Sequence, residues 1–225
     1  MAFTLNIERK YKSVTRYNQI LKVLVKYGFE DLVRYIEQNN RFTFYQRFIP
    51  KGSRNHALEY SKWERMRMVC EDLGPTFIKF GQILSNRPDL VPLELTLELE
   101  KLQDHVPPLP EEIAREVVEE ELEDTVENLF AWFDPVPFAS ASMAQVHKVT
   151  LHSGKRVALK VQRPEIEDII IEDIKVMYKL AHTFERRMPS LKSFDLKGLV
   201  QNFEESIMQE LDFINESINI QRFYN

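Results

Sequence analysis

Apolar side chains recur at helical spacing along most of the chain and give way to strand-like alternation in its middle. Tyr17, Leu21, Leu24 and Val25, a break at Gly28, then Leu32, Val33 and Ile36 predict one or two helices over residues 13–37. A further helix is predicted from about Ser61 to Asp72. The next opens after Gly74-Pro75, with proline in its first turn. Its apolar edge is Phe77, Phe80 and Leu84, and Lys79, Gln82 and Asn86 form a polar stripe at i, i+3 and i+7. Gly81 within it costs roughly 1 kcal/mol relative to alanine, which signals close approach of something to the backbone. Pro88 and Pro92 end that helix. Residues 93–103 alternate leucine and glutamate with period two, yet are strong helix formers, and propensity assigns them to a helix. Residues 39–56 read as a linker, residues 106–110 as an extended connector, residues 111–123 as a helix, and residues 126–133 as the approach to the strands.

The alternation is clearest in Val157-Ala158-Leu159-Lys160-Val161, where Val157, Leu159 and Val161 share one face and Ala158 and Lys160 the other. A preceding strand from about Gln145 to Leu151 joins it through His152-Ser153-Gly154-Lys155, a hairpin signal. Upstream, Ala139-Ser140-Ala141-Ser142-Met143-Ala144-Gln145-Val146 keeps the spacing of the kinase loop G-x-G-x-x-G-x-V, with alanines in place of glycines. Such a loop needs a backbone without bulk, so that N–H groups approach phosphate oxygens. Alanine meets that need but disfavours positive φ, so a stiffer loop is expected. A small side chain and a cation on one strand face suit an adenine ring and phosphates respectively.

Past Pro164 a helix is expected from Glu165 to about Arg187, with apolar Ile169, Ile170, Ile174, Met177 and Leu180, and Pro189 breaking it. One last helix is expected from Asp195, its N-cap, to Arg222, with a core stripe of Leu199, Phe203, Ile207, Leu211, Ile214 and Ile218. On a regular helix Asp212 and Glu216 share a face, and Glu210 stands about 120° from Glu216.

Composition narrows the function. The formal charge is −5, which gives no support to general nucleic-acid binding. The single cysteine, Cys70, rules out an intramolecular disulfide and fits a reducing compartment. The first twelve residues are too polar for a signal peptide, and no apolar run is long enough to span a bilayer. Residues 1–29 hold six cations against one acid, and residues 111–127 nine acids against Arg115. The acidic run is read as a solvated helix face. The basic first helix has two readings, contact with an anionic membrane surface or docking of its apolar stripe on the domain that follows. There is no G-x-x-x-x-G-K-[ST] motif, and His56, His105, His147, His152 and His182 show no ligand spacing, so no metal site is expected in this chain.

In combination these residues resemble the UbiB family of atypical protein-kinase-like proteins. Lys79-Phe80-Gly81-Gln82 is similar to its K-x-G-Q motif, Ala139 to Ala144 to its alanine-rich loop, Val157 to Lys160 to its lysine strand, and Glu210-Leu211-Asp212 to its E-x-D motif. The fold this implies is α+β: an all-helical N-terminal extension, then a protein-kinase-like N-lobe of a small antiparallel sheet plus helices. The divisions expected are 1–56, N-terminal helices and linker; 57–130, a helical extension with the K-x-G-Q motif; and 131–225, the N-lobe. The kinase catalytic loop and metal-binding D-F-G segment would follow this region, so the expectation is a fragment without the C-lobe, inactive alone. The resemblance also implies ATP or ADP as the bound nucleotide, with Mg2+ expected only alongside the missing C-lobe. It assigns catalytic roles to Lys160, Glu216, Glu210 and Asp212, with Glu216 first and Glu210 second as the acid paired with Lys160. Nucleotide contacts fall to Ala139, Ser140, Ala141, Ser142, Ala144, Val146, Ala158 and Lys160. The helix of Lys79, Gly81 and Gln82 would fold over the pocket as an autoinhibitory element. For the whole protein it implies an ATPase, or a kinase acting on small molecules or lipids (a transferase), in ubiquinone or related isoprenoid-lipid biosynthesis. Its partners would be an isoprenoid lipid or quinone precursor, and its place cytoplasmic, peripheral at the inner face of a membrane. The alternative is a non-enzymatic lipid- or partner-binding module with a vestigial nucleotide site.

Overall fold

The computed structural model describes residues 2–37, 57–102, 107–188 and 194–224. The expected linker at 39–56 and the break at Pro189 lie outside them. The described chain divides into two compact units, one of residues 1–102 and 167–225, the other of residues 103–166.

The first unit is helical. α1 (Ala2–Lys26) and α2 (Glu30–Ile36) part at Gly28, whose φ of 77° is the left-handed turn that favours glycine. α1 begins well before residue 13, earlier than its apolar periodicity shows. Ile20, Leu21, Leu24 and Val25 are buried with Val33, Ile36, Val69 and Leu73. Full burial of such a side chain contributes about 1.5–3 kcal/mol, so the stripe of α1 docks within its own unit. Arg16 is drawn in with it. Its guanidinium meets the fully buried Asp173 at 2.5 and 3.0 Å and donates to the Leu73 carbonyl at 2.6 Å.

α3 (Lys62–Leu73) starts at a complete capping box: Ser61 Oγ accepts from the Glu64 amide, and Glu64 Oε2 from the Ser61 amide. Gly74, at φ 93°, ends it and leads into α4 (Pro75–Ser85), with proline in the first turn. α5 (Leu93–Leu99) settles the conflict between alternation and propensity in favour of helix, although it stops four residues short of Gln103. Leu95 and Leu99 pack with Cys70 and Leu102, against Phe77, Ile78 and Leu84.

The second unit holds α6 (Glu111–Leu122), α7 (Val126–Leu129) and a four-stranded antiparallel sheet. Its strands are β1 (Trp132–Phe133), β2 (Ala139–Ser140), β3 (Ala144–Thr150) and β4 (Arg156–Gln162), with β3 pairing all the others. The β3–β4 turn carries Gly154 at φ 83°. This division groups the acidic helix α6 with the sheet.

α8 (Ile166–Arg187) follows, and Ile170, Ile174 and Met177 are buried as expected, whereas Ile169 is exposed. α9 (Leu196–Leu211) begins at Asp195, whose Oδ1 accepts the Gly198 amide at 3.1 Å, as the N-cap expectation required. The single last helix, however, is two. It breaks at Asp212 (φ −84°, ψ 86°) and resumes as α10 (Phe213–Tyr224). Aspartate competes for local backbone hydrogen bonds and favours caps over helix interiors. Here the Asp212 amide reaches back to the Gln209 carbonyl, while its own carbonyl accepts the Glu216 amide and opens the next helix. The break turns Ile214 and Ile218 out to solvent, 76% and 40% exposed, so the core stripe ends at Leu211.

Candidate functional site

The sheet has two unlike faces. Gln145, His147 and Val149 on β3 stand opposite Val161, Leu159 and Val157 on β4. Val118, Val126 and Phe130, with Val117 and Leu129, cover the apolar members of this face. On the other face Val146 pairs with Lys160 and Lys148 with Ala158, while Ala139 of β2 flanks Val146. One row across three strands therefore reads Ala139, Val146, Lys160. Ala139, Ala158 and Lys160 are exposed, so alternation places the small residues and the cation together on the open face.

The loop is tighter than the sequence suggests. Ala139 and Ser140 already form β2, and the Ala141 amide donates to the Ala144 carbonyl at 2.8 Å across Ser142 and Met143. Ser142, Met143 and Ala144 are buried. Among the described non-glycine residues only Glu123, Glu165 and Asp195 have positive φ, so the loop closes without left-handed residues.

Two supports of the loop escaped the sequence reading. Arg163 Nε donates to the Ala141 carbonyl at 3.0 Å. Its Nη2 lies 2.9 Å from both Ser140 Oγ and the Pro107 carbonyl, and its backbone amide donates to Met143. Burial pulls this guanidinium below the usual arginine range. Deeper in, Gln145 Oε1 accepts the Leu109 amide at 2.8 Å, and Gln145 Nε2 lies 2.7 Å from His147 Nε2. His147 Nδ1 lies 2.7 Å from the Asp134 carbonyl. A carbonyl only accepts, so the proton sits on Nδ1 and Nε2 accepts from the Gln145 amide. The sequence marks Arg163 only by its place before Pro164, and His147 only by alternation. Lys148 is a further cation on the open face, its Nζ 5.6 Å from the Phe138 ring centroid.

In the first unit, Lys79 Nζ lies 2.8 Å from both carboxylate oxygens of Glu210, joining the K-x-G-Q segment of α4 to the E-x-D segment at the end of α9. Phe80 meets the buried Phe203 edge to face at 5.1 Å beside it. Gln82 Nε2 donates to the Leu102 carbonyl at 3.1 Å, so Gln82 and Lys79 bind different neighbours. Gly81 is buried, and a Cβ there would stand 3.2 Å from Leu99 Cδ2 and collide with Leu102. That is the close approach its sequence position signalled. Because the chain breaks at Asp212, Glu210 and Glu216 sit on different helices, and the shared helix face assigned to Asp212 and Glu216 does not exist. Lys160 belongs to the second unit, and Glu210, Asp212 and Glu216 to the first.

The family model of the ABC1 atypical kinase-like domain matches residues 101–225. The chain belongs to the ABC1 atypical kinase-like family. The ABC1 match spans β1–β4, Lys160 and the E-x-D segment. The chain is also similar to the "Probable protein kinase UbiB" of Pseudomonas aeruginosa (strain LESB58), 38% identical over 216 residues, covering 93% of this chain and 40% of the relative. A protein of the same name from Marinobacter nauticus is 45% identical over 159 residues, 71% of this chain and 29% of the relative. Among solved structures, the Rv3197–erythromycin complex from Mycobacterium tuberculosis matches 73% of this chain and 41% of the other, at 27% identity and a TM-score of 0.43. The ABC1 chain thus spans about two fifths of the length of its UbiB relatives. Among the described residues no helix is long and apolar enough to cross a membrane.

Proposed function

We propose that the open face of the sheet is a nucleotide cradle, and that the complete protein uses it as an ATP-dependent, atypical kinase-like factor in ubiquinone or related isoprenoid-lipid biosynthesis. The observation that carries the reading is the cross-strand row Ala139–Val146–Lys160, with Ala158 beside it and the alanine loop at its edge. Small side chains leave room for a base and for close approach of phosphates to the backbone, and Lys160 supplies the compensating cation. ATP or ADP fits these residues. Within its own unit Glu210 is bonded to Lys79.

The test is thermal protection by nucleotide. A ligand at 100 times its dissociation constant stabilises by about 2.7 kcal/mol, and ATP should raise the wild-type melting temperature accordingly. Lys160→Ala should abolish the rise. Equal protection of that variant would overturn the reading and favour a lipid- or partner-binding module.

A further inference from the structure

Arg163 reaches the alanine loop from beyond the end of β4, three residues past Lys160, and its bonds have a directional consequence. In a trans peptide the carbonyl and the following N–H lie in the peptide plane and point in opposite directions. The Ala141 carbonyl accepts from Arg163 Nε and the Met143 carbonyl from the Arg163 amide. The N–H groups of Ser142 and Ala144 are therefore turned away from Arg163. The same side chain holds Ser140 Oγ on one side and the Pro107 carbonyl on the other. A glycine loop can adjust its peptide planes to a ligand; this one has no glycine, and the Arg163 side chain sets the Ala141–Ser142 plane while the backbone amide of residue 163 sets the Met143–Ala144 plane. The guanidinium also places a fixed positive charge against the loop backbone, where it strengthens attraction for an anion it does not touch.

Resting on the nucleotide reading, we propose that Arg163 is the positioning residue of the cradle: it orients the loop amides and charges the loop, so that affinity for the phosphate groups of a nucleotide depends on it. Lysine keeps the charge but lacks the planar fork that serves Ala141, Ser140 and Pro107 together. Arg163→Gln should weaken ATP and ADP binding about tenfold while AMP changes less than about twofold, and Arg163→Lys should fall between.

The experiment measures ATP, ADP and AMP affinities of the 225-residue chain by calorimetry for the wild type, Arg163→Gln, Arg163→Lys and Lys160→Ala. Amide exchange of Ala141 without nucleotide is measured alongside. A loss that grows with phosphate number, with faster Ala141 exchange, is the expected result. A folded Arg163→Gln protein that binds ATP like the wild type, or loses ATP and AMP equally, overturns the inference and leaves the nucleotide reading standing. A wild-type chain that binds no ATP overturns both.

Discussion

Lys79 Nζ lies 2.8 Å from each carboxylate oxygen of Glu210, although 131 residues separate them in the chain. The pair links α4 to α9 beside the Phe80–Phe203 contact. Its side chains keep 21% and 39% of their exposure, so water screens the attraction. Lys79→Ala and Glu210→Ala should each lower stability by less than about 1 kcal/mol, with most of the packing left to the two phenylalanines. A double-mutant cycle in denaturant should give a coupling below about 1 kcal/mol that shrinks in concentrated salt. A coupling of several kcal/mol would mean that the pair is far better shielded than its exposure says.

Arg16 and Asp173 present the opposite case. Asp173 is fully buried and the contact is bidentate, with the Leu73 carbonyl as a third partner. Removing one member of such a pair leaves a buried charge, at a cost of about 3–5 kcal/mol. Arg16→Met should approach that loss in urea unfolding, and Arg16→Met with Asp173→Leu should recover much of it. If the double variant were no more stable than the single one, an uncompensated charge could not be the source of the loss.

Much of this was legible because periodicity reports burial. The alternation of residues 157–161 put Val157, Leu159 and Val161 on one face and Ala158 and Lys160 on the other, and the sheet does so, with the first set against the apolar cluster. Ser61, Gly74-Pro75 and Asp195 marked helix ends through local hydrogen bonding and backbone preference, which act over three or four residues. The break at Asp212 escaped because an aspartate in a helical pattern is compatible with either an interior or a cap, and apolar Ile214 and Ile218 continued the period past it. Arg163 escaped for another reason: three of its four acceptors are backbone carbonyls, at residues 107, 141 and 143, and carbonyls leave no mark on sequence.

Gly81 offers a test of packing against propensity. In an exposed helix, replacing glycine by alanine would gain roughly 1 kcal/mol. Here the added methyl would collide with the buried Leu102 and press on Leu99. Overpacking of that kind costs about 1–3 kcal/mol, so Gly81→Ala should be net destabilising in denaturant. Gly81→Ala with Leu102→Ala should show favourable coupling, because the second change removes the colliding methyl. A stabilised single variant would show that Leu102 moves aside freely.

Cys70 is buried in the cluster with Leu95, Leu99 and Leu102, and burial, aided by the charge of Glu71, pushes its thiol up to about 12 from an ordinary 9.0. The thiolate is the reactive form, so alkylation at pH 8 should be about a thousandfold slower than for an open thiol and should accelerate on unfolding. The pH dependence has a definite sign. A folded-state value above the unfolded one means that the native chain holds the proton more tightly, so stability from this group is complete below pH 9 and is lost as pH rises toward 12. The melting temperature should therefore fall more steeply above pH 9 in the wild type than in Cys70→Ala, which has no proton to lose. Parallel curves for the two proteins, together with rapid native-state alkylation, would place the thiol in contact with water.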